Sequence, residues 1–155
     1  MNVGLVFGII FAAILIGFVL FFGFNYINEM FDINCKATVG DQIIKIREIT
    51  DKTFRLSLGA KQEYVLLIPP CVEKICFVDH EDPFSYGNWE TNSVLTRLIT
   101  ENEYSVIIFE KDETFEGYVV DHLKPDYNFC VSSKKTLLLT NDGPFVMVKP
   151  RLIGV

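Results

Sequence analysis

Apolar and polar positions are distributed unevenly along this chain. Val3 to Phe24, VGLVFGIIFAAILIGFVLFFGF, is 22 residues without a charge, and no charged side chain occurs before Glu29. At the rise of an α-helix this run spans about 33 Å, enough to cross a hydrocarbon core of about 30 Å. It predicts a membrane-spanning helix over 1–24. A secretory signal peptide has a basic stretch, a shorter apolar core and small residues at a cleavage site. Here no Lys or Arg precedes the run, and Ala12, Ala13 and Gly17 lie deep inside it. The pattern argues for a retained signal-anchor.

Past the run, Phe24, Ile27 and Phe31 recur at helical spacing with Tyr26, Met30 and Ile33 beside them. The helix is therefore expected to continue into a short amphipathic stalk over 25–40. Tyr26 stands where an interfacial aromatic is expected. Gly40 reads as an interruption and Asp41 as the cap of a second helix. Val39, Ile43, Ile46, Ile49 or Thr50, and Phe54 mark one face of that helix over 42–56. The β-branched content also fits a strand, but the pattern outlasts a usual strand before Gly59 stops it. Tyr64–Ile68 and Ile75–Val78 read as a hairpin around Pro69-Pro70, its strands apolar on two faces like central strands covered on each side.

The segment 79–89 is a loop by its Pro, Gly, Asp and Asn content. A helix starts at Thr91 or Asn92, with Val94, Leu95, Leu98 and Ile99 on its apolar face. Strands are expected at Tyr104–Phe109, Tyr118–Leu123, Phe129–Val131, Leu137–Leu139 and Phe145–Val148. Lys111–Glu116 is a charged turn, and Asn141-Asp142-Gly143 a hairpin turn in which Gly supplies a positive φ. The expected class is α+β: a transmembrane helix, a stalk, and one β-rich head over 41–155, either helix-on-sheet or sandwich-like.

Charge changes the picture in one respect. Residues 36–78 carry 7 basic and 5 acidic groups, residues 79–126 carry 3 and 12, and residues 127–155 carry 4 and 1. An acidic middle argues against nucleic acid, whose binding rests on neutralising phosphates. It suits a cationic partner, a bound cation or a solvated face. Flanking charge also bears on orientation, because Lys and Arg gather on the cytoplasmic side of a span. Ahead of the run only the α-amino group is positive; behind it come Glu29 and Asp32, then Lys36. The expectation is an inside N-terminus and an outside head. All four cysteines, Cys35, Cys71, Cys76 and Cys130, lie beyond the span, as suits an oxidising compartment.

Four cysteines allow three pairings. Cys76 and Cys130 both fall in strands and are the preferred bridge, with Cys35 and Cys71 free or paired. The single C-x4-C lacks a second ligand pair for zinc, and no C-x-x-C suggests redox work. Asp79-His80-Glu81-Asp82 is the densest polar cluster. It lacks the D-x-[DN]-x-[DN]-G pattern of a calcium loop and reads as a solvated loop. His80 and His122 are the only histidines. No nucleophile elbow, zinc-protease motif, phosphate loop or dinucleotide fingerprint is present. Ser132-Ser133 beside Lys134-Lys135 reads as a turn. No catalytic residue, metal ligand or cofactor is predicted, and the chain is not expected to be an enzyme.

Two features bear on partners besides the lipid bilayer. Gly4, Gly8, Ala12 and Gly17, with Ala13, put small residues at spacing four, which lets helix backbones approach closely; such residues are also common in membrane helices generally. Phe84, Tyr86 and Trp89 share one loop and Phe115 tips a charged turn. They either anchor a protein partner or a glycan, or fold back on the core.

With the apolar N-terminal helix, Pro69–Asp79 (PPCVEKICFVD) and its I-C-F-V-D strand in view, the chain resembles uncharacterised single-span surface proteins of archaea. Those pair such a helix with a β-rich head, and some are described as pilin-like. Type IV pilins carry a charged leader before a processing site and a Glu early in the mature helix; this chain has neither ahead of Glu29. The resemblance implies a membrane-anchored extracytoplasmic protein with a structural or binding role, as a cell-surface component or a small subunit of a membrane complex. The alternative is a filament subunit packed through its apolar helix.

Overall fold

The computed structural model describes residues 3–84, 93–111 and 114–151. The chain is α+β. It divides into two compact units, Met1–Ala37 and Thr38–Val155. The first is helical. α1 (Val3–Phe54) is 52 residues long and supplies both this unit and the first element of the second. Within the first unit, the 18 residues Val6–Gly23 have a mean hydropathy of 2.8, and none of that window is buried. Length and composition make it a candidate membrane span. The stalk side chains Phe24, Ile27, Met30 and Phe31 lie outside the described residues; Tyr26 and Ile33 are exposed.

Gly40 does not interrupt the helix, which continues through Gly40 and Asp41. A glycine inside a helix costs only about 1 kcal/mol. Asp41, instead of capping, pairs with Lys45 one turn on at 2.6 Å. In the second unit the helix buries Val39, Ile43, Ile46, Thr50 and Thr53. That is the stripe the sequence marks, with Ile49 and Phe54 half-buried at its margin.

Among the described residues eight strands form two four-stranded sheets. The first has the order β1-β7-β8-β5, from β1 (Lys61–Leu66), β7 (Lys135–Asn141), β8 (Val146–Pro150) and β5 (Leu123–Pro125). The second has the order β4-β3-β2-β6, from β4 (Phe115–Tyr118), β3 (Val106–Glu110), β2 (Val72–Phe77) and β6 (Phe129–Val131). All pairings are antiparallel except β5 with β8.

One expected pairing and one expected strand therefore change. β1 and β2 are not a hairpin: β1 pairs with β7, and β2 pairs with β3 and β6. Pro69 and Pro70 part the two strands instead of turning one back on the other. β1 alternates between exposed and covered residues, as an edge strand does. β2 alone behaves as a central strand, with Ile75, Cys76, Phe77 and Val78 all buried. The run Tyr118–Leu123 is likewise two strands in different sheets. The break falls at His122, whose φ of 61° is left-handed. Its ring stacks on Phe54 at 3.8 Å and its carbonyl accepts from the Val146 amide at 2.7 Å. Histidine tolerates that conformation better than a β-branched residue would.

α2 (Ser93–Asn102) covers one face of the second sheet. Leu95 and Ile99 pack with Cys76, Val78 and Ile107, flanked by Tyr104, Phe109 and Cys130. Val94, expected on that face, is exposed. The start at Thr91 or Asn92 lies outside the described residues. On the opposite face, Ile75, Phe77, Val106 and Ile108 are fully buried and Phe77 stacks on Phe129 at 5.0 Å. Tyr104 lies so close to β4 that a Cβ on Gly117 would clash with its ring, so only glycine fits there.

Three contacts seat the helix on the sheets. The Tyr64 hydroxyl donates to Gln42 Oε1 at 2.9 Å, and burial raises that phenol's pKa. Arg47 donates to the Val119 carbonyl at 3.0 Å. Asn141, buried at the end of β7, donates to the Phe54 and Leu56 carbonyls at 3.0 and 2.7 Å, and its Oδ1 accepts from Gly143 N at 2.8 Å. One side chain thus satisfies the orphan carbonyls after the helix and sets the β7–β8 turn, where Gly143 has a φ of 95°. Replacing Asn141→Ala removes all three bonds from a buried site. The expected loss is about 3 kcal/mol, read as a lower urea midpoint at unchanged slope.

Candidate functional site

Three places in the second unit concentrate chemistry. The first is the acidic loop after β2. Asn128, fully buried, accepts from the Asp79 amide at 2.7 Å and donates to the Asp82 carbonyl at 3.1 Å. Lys124 on β5 reaches Asp79 at 3.1 Å and Glu81 at 2.7 Å, and lies over the Phe145 ring at 5.3 Å. The hydrogen bond to Glu81 is the main cause that holds the Lys124 ammonium above its ordinary pKa; burial opposes it and Asp79 adds to it. Asp79 and Glu81 thus share one lysine, and this part of the loop is pinned while Glu81 and Asp82 stay exposed to solvent, as the solvated-loop expectation has it. Among the described residues no group of three or more His, Cys, Asp or Glu side chains is placed to hold a metal ion.

The second is the disulfide between Cys76 and Cys130, whose Cα atoms are 4.0 Å apart. They are direct cross-strand partners in the β2–β6 register. The close spacing is that of a non-hydrogen-bonded antiparallel pair, where side chains approach most nearly. The bridge ties an edge strand of three residues to the central strand under α2. Cys35 and Cys71 are also disulfide-bonded.

The third was not legible as a site in the sequence. A half-open pocket of about 370 Å³ lies between β6, with the residues flanking it, and the start of β7 beside the end of β8. Tyr127 and Phe129 give it an aromatic wall, their rings 5.8 Å apart. Ser132, Ser133, Lys135 and Pro150 complete it. In the sequence, Ser132-Ser133 and the lysines signal only a turn; the pocket arises because one wall comes from each sheet.

The remaining candidates are dispersed. Phe84 is exposed, and Phe115 opens β4 with its ring 6.1 Å from Phe109. Tyr86 and Trp89 lie outside the described residues. Gly4, Gly8, Ala12 and Gly17 lie on the unburied part of α1, and a Cβ at any of the three glycines would meet nothing within 4 Å. His80 sits in the pinned loop and His122 at the β4–β5 break.

The bridge and the pinned loop each carry a stability prediction. Replacing both Cys76 and Cys130 with alanine opens a link across 54 residues; chain entropy gives a loss of about 4 kcal/mol, measurable by urea unfolding. For Lys124 the folded pKa is raised, so its contribution is present below the ordinary lysine pKa of about 10.4 and is lost as pH rises through the folded value. Lys124→Met should cost about 1 kcal/mol at neutral pH. The gap from the parent protein should close above about pH 10.5 in paired melts.

No protein-family model, curated protein or solved structure matches this chain.

Proposed function

We propose that this is a membrane-anchored protein in which the apolar part of α1 crosses the bilayer and the second unit is an extracytoplasmic head with a structural or binding role. The observation that carries the reading is the Val6–Gly23 window, with a mean hydropathy of 2.8 and no part buried. Phe7, Phe11, Ile14, Phe18, Val19 and Phe21 are all exposed. Leaving each such side chain in water forfeits about 2 kcal/mol, and a hydrocarbon phase recovers it. The helix satisfies its own backbone, which a lipid environment requires. Tyr26, exposed just past the window, fits the headgroup level.

The disulfides support the side on which the head lies. No cysteine of the chain is free, and all lie beyond the apolar window. Stable disulfides belong to oxidising compartments. The filament-subunit alternative draws on the same helix and has no separate observation in its favour.

The full-length protein should stay in the membrane pellet through alkaline carbonate washing and leave it only with detergent. In intact cells its head should be cut by external protease. Leu15→Arg, at the centre of the window, should shift protein toward the aqueous fraction, since a central arginine costs about 3 kcal/mol of insertion. Parent protein in the aqueous fraction without detergent refutes the anchor. A head protected outside but cut in inverted vesicles refutes the orientation.

A further inference from the structure

We propose that the pocket between β6 and the β7–β8 pair binds a small organic monocarboxylate that carries a flat apolar group, such as an aromatic ring. This goes beyond the anchoring proposal and does not depend on it, since both walls belong to the second unit. The volume, about 370 Å³, is in the range of small-ligand pockets, and a cleft between two packed elements is where such pockets form.

The walls are held before any ligand arrives. Phe129 stacks on Phe77, Tyr127 leans on Phe129, and the neighbouring Cys130 is bridged to buried Cys76. Pro150 is set opposite Leu137 by the β7–β8 ladder. A rigid lining loses little entropy on binding. Tyr127, partly exposed, offers a ring for an apolar group to lie against.

The polar side of the pocket is positive and unspent. Among the described residues, the side chains of Ser132, Ser133 and Lys135 have no hydrogen bond or ion pair. On and beside these two sheets Lys124 pairs with Asp79 and Glu81, Lys149 with Asp126, and Arg151 with Glu63, whereas Lys135, like Lys61 and Lys74, has no carboxylate partner among the described residues. Among the described residues no carboxylate lines the pocket, although the chain has a net charge of −6. One ammonium and two hydroxyls match a singly charged anion. A phosphate dianion draws further on arginine or a helix N-terminus, and among the described residues neither lines this pocket.

The test uses the full chain in detergent micelles, with 3-phenylpropionate as the probe and the Ser132 and Ser133 amide resonances as the readout. The expected result is a saturable shift with a Kd of about 1 mM or tighter. The neutral 3-phenylpropionamide should bind about tenfold more weakly, as should the acid to Lys135→Gln, because each loses a charge-assisted hydrogen bond. Lys135→Arg should retain binding, and Tyr127→Ala should weaken both acid and amide. The remaining amide shifts report whether each variant keeps its fold. No saturable shift, equal binding of acid and amide, or an unchanged Kd in folded Lys135→Gln overturns the proposal.

Discussion

Strand β2 imposes the constraint that the rest of the head answers. Ile75, Cys76, Phe77 and Val78 are consecutive and fully buried, so neither face of the strand is left for water. A strand of that kind needs a layer on each side. α2 provides one through Leu95 and Ile99. On the other side Ile75 and Phe77 join Val106, Ile108, Phe129 and Val131. The helical stripe from Val39 to Thr53 and the covered face of the first sheet hold most of the remaining buried side chains. Laterally, β2 is hydrogen-bonded on both edges, to β3 and β6. β6, three residues long, would be a weak addition alone, and the Cys76–Cys130 bridge makes its attachment covalent.

Polar groups near the core are placed by the same logic. Asn128 and Asn141 are both buried asparagines that substitute for missing backbone partners. One holds the chain as it leaves β2, the other as it leaves α1. A carbonyl or amide left unpaired at such a turn costs as much as a lost core contact. These two residues therefore weigh as heavily in the fold as the apolar side chains around them. Lys124 acts further out, where solvent screens it, and organises the acidic loop more than it stabilises it.

The two proposals rest on different kinds of surface. The apolar window of α1 is a long surface without any polar interruption, and its partner is inferred from what would cover it. The seam pocket is small, mixed and positive in an acidic chain. Its partner is inferred from which groups there remain unspent.

Local pattern was enough wherever burial depends directly on spacing. The helicity of the uncharged run in α1, the stripe Val39–Ile43–Ile46–Thr50, β6 at Phe129–Val131, and the Asn141–Gly143 turn are legible from neighbouring residues, because each depends on an unbroken apolar run, a period of 3.6 or 2, or one glycine's φ. Cys76 and Cys130 could be nominated as strand residues, but their register came from β2 and β6 lying side by side. Long-range pairing was decided only in three dimensions. Tyr64–Ile68 and Ile75–Val78 look alike as apolar runs, yet one lies at an edge and the other in the middle, since strand partners come from distant sequence. The same holds for Gly117, which is required by the Tyr104 ring, and for Ser132, Ser133 and Lys135. Those three are turn residues in the chain and a pocket lining in the fold, because only packing brings Pro150 and Tyr127 to face them.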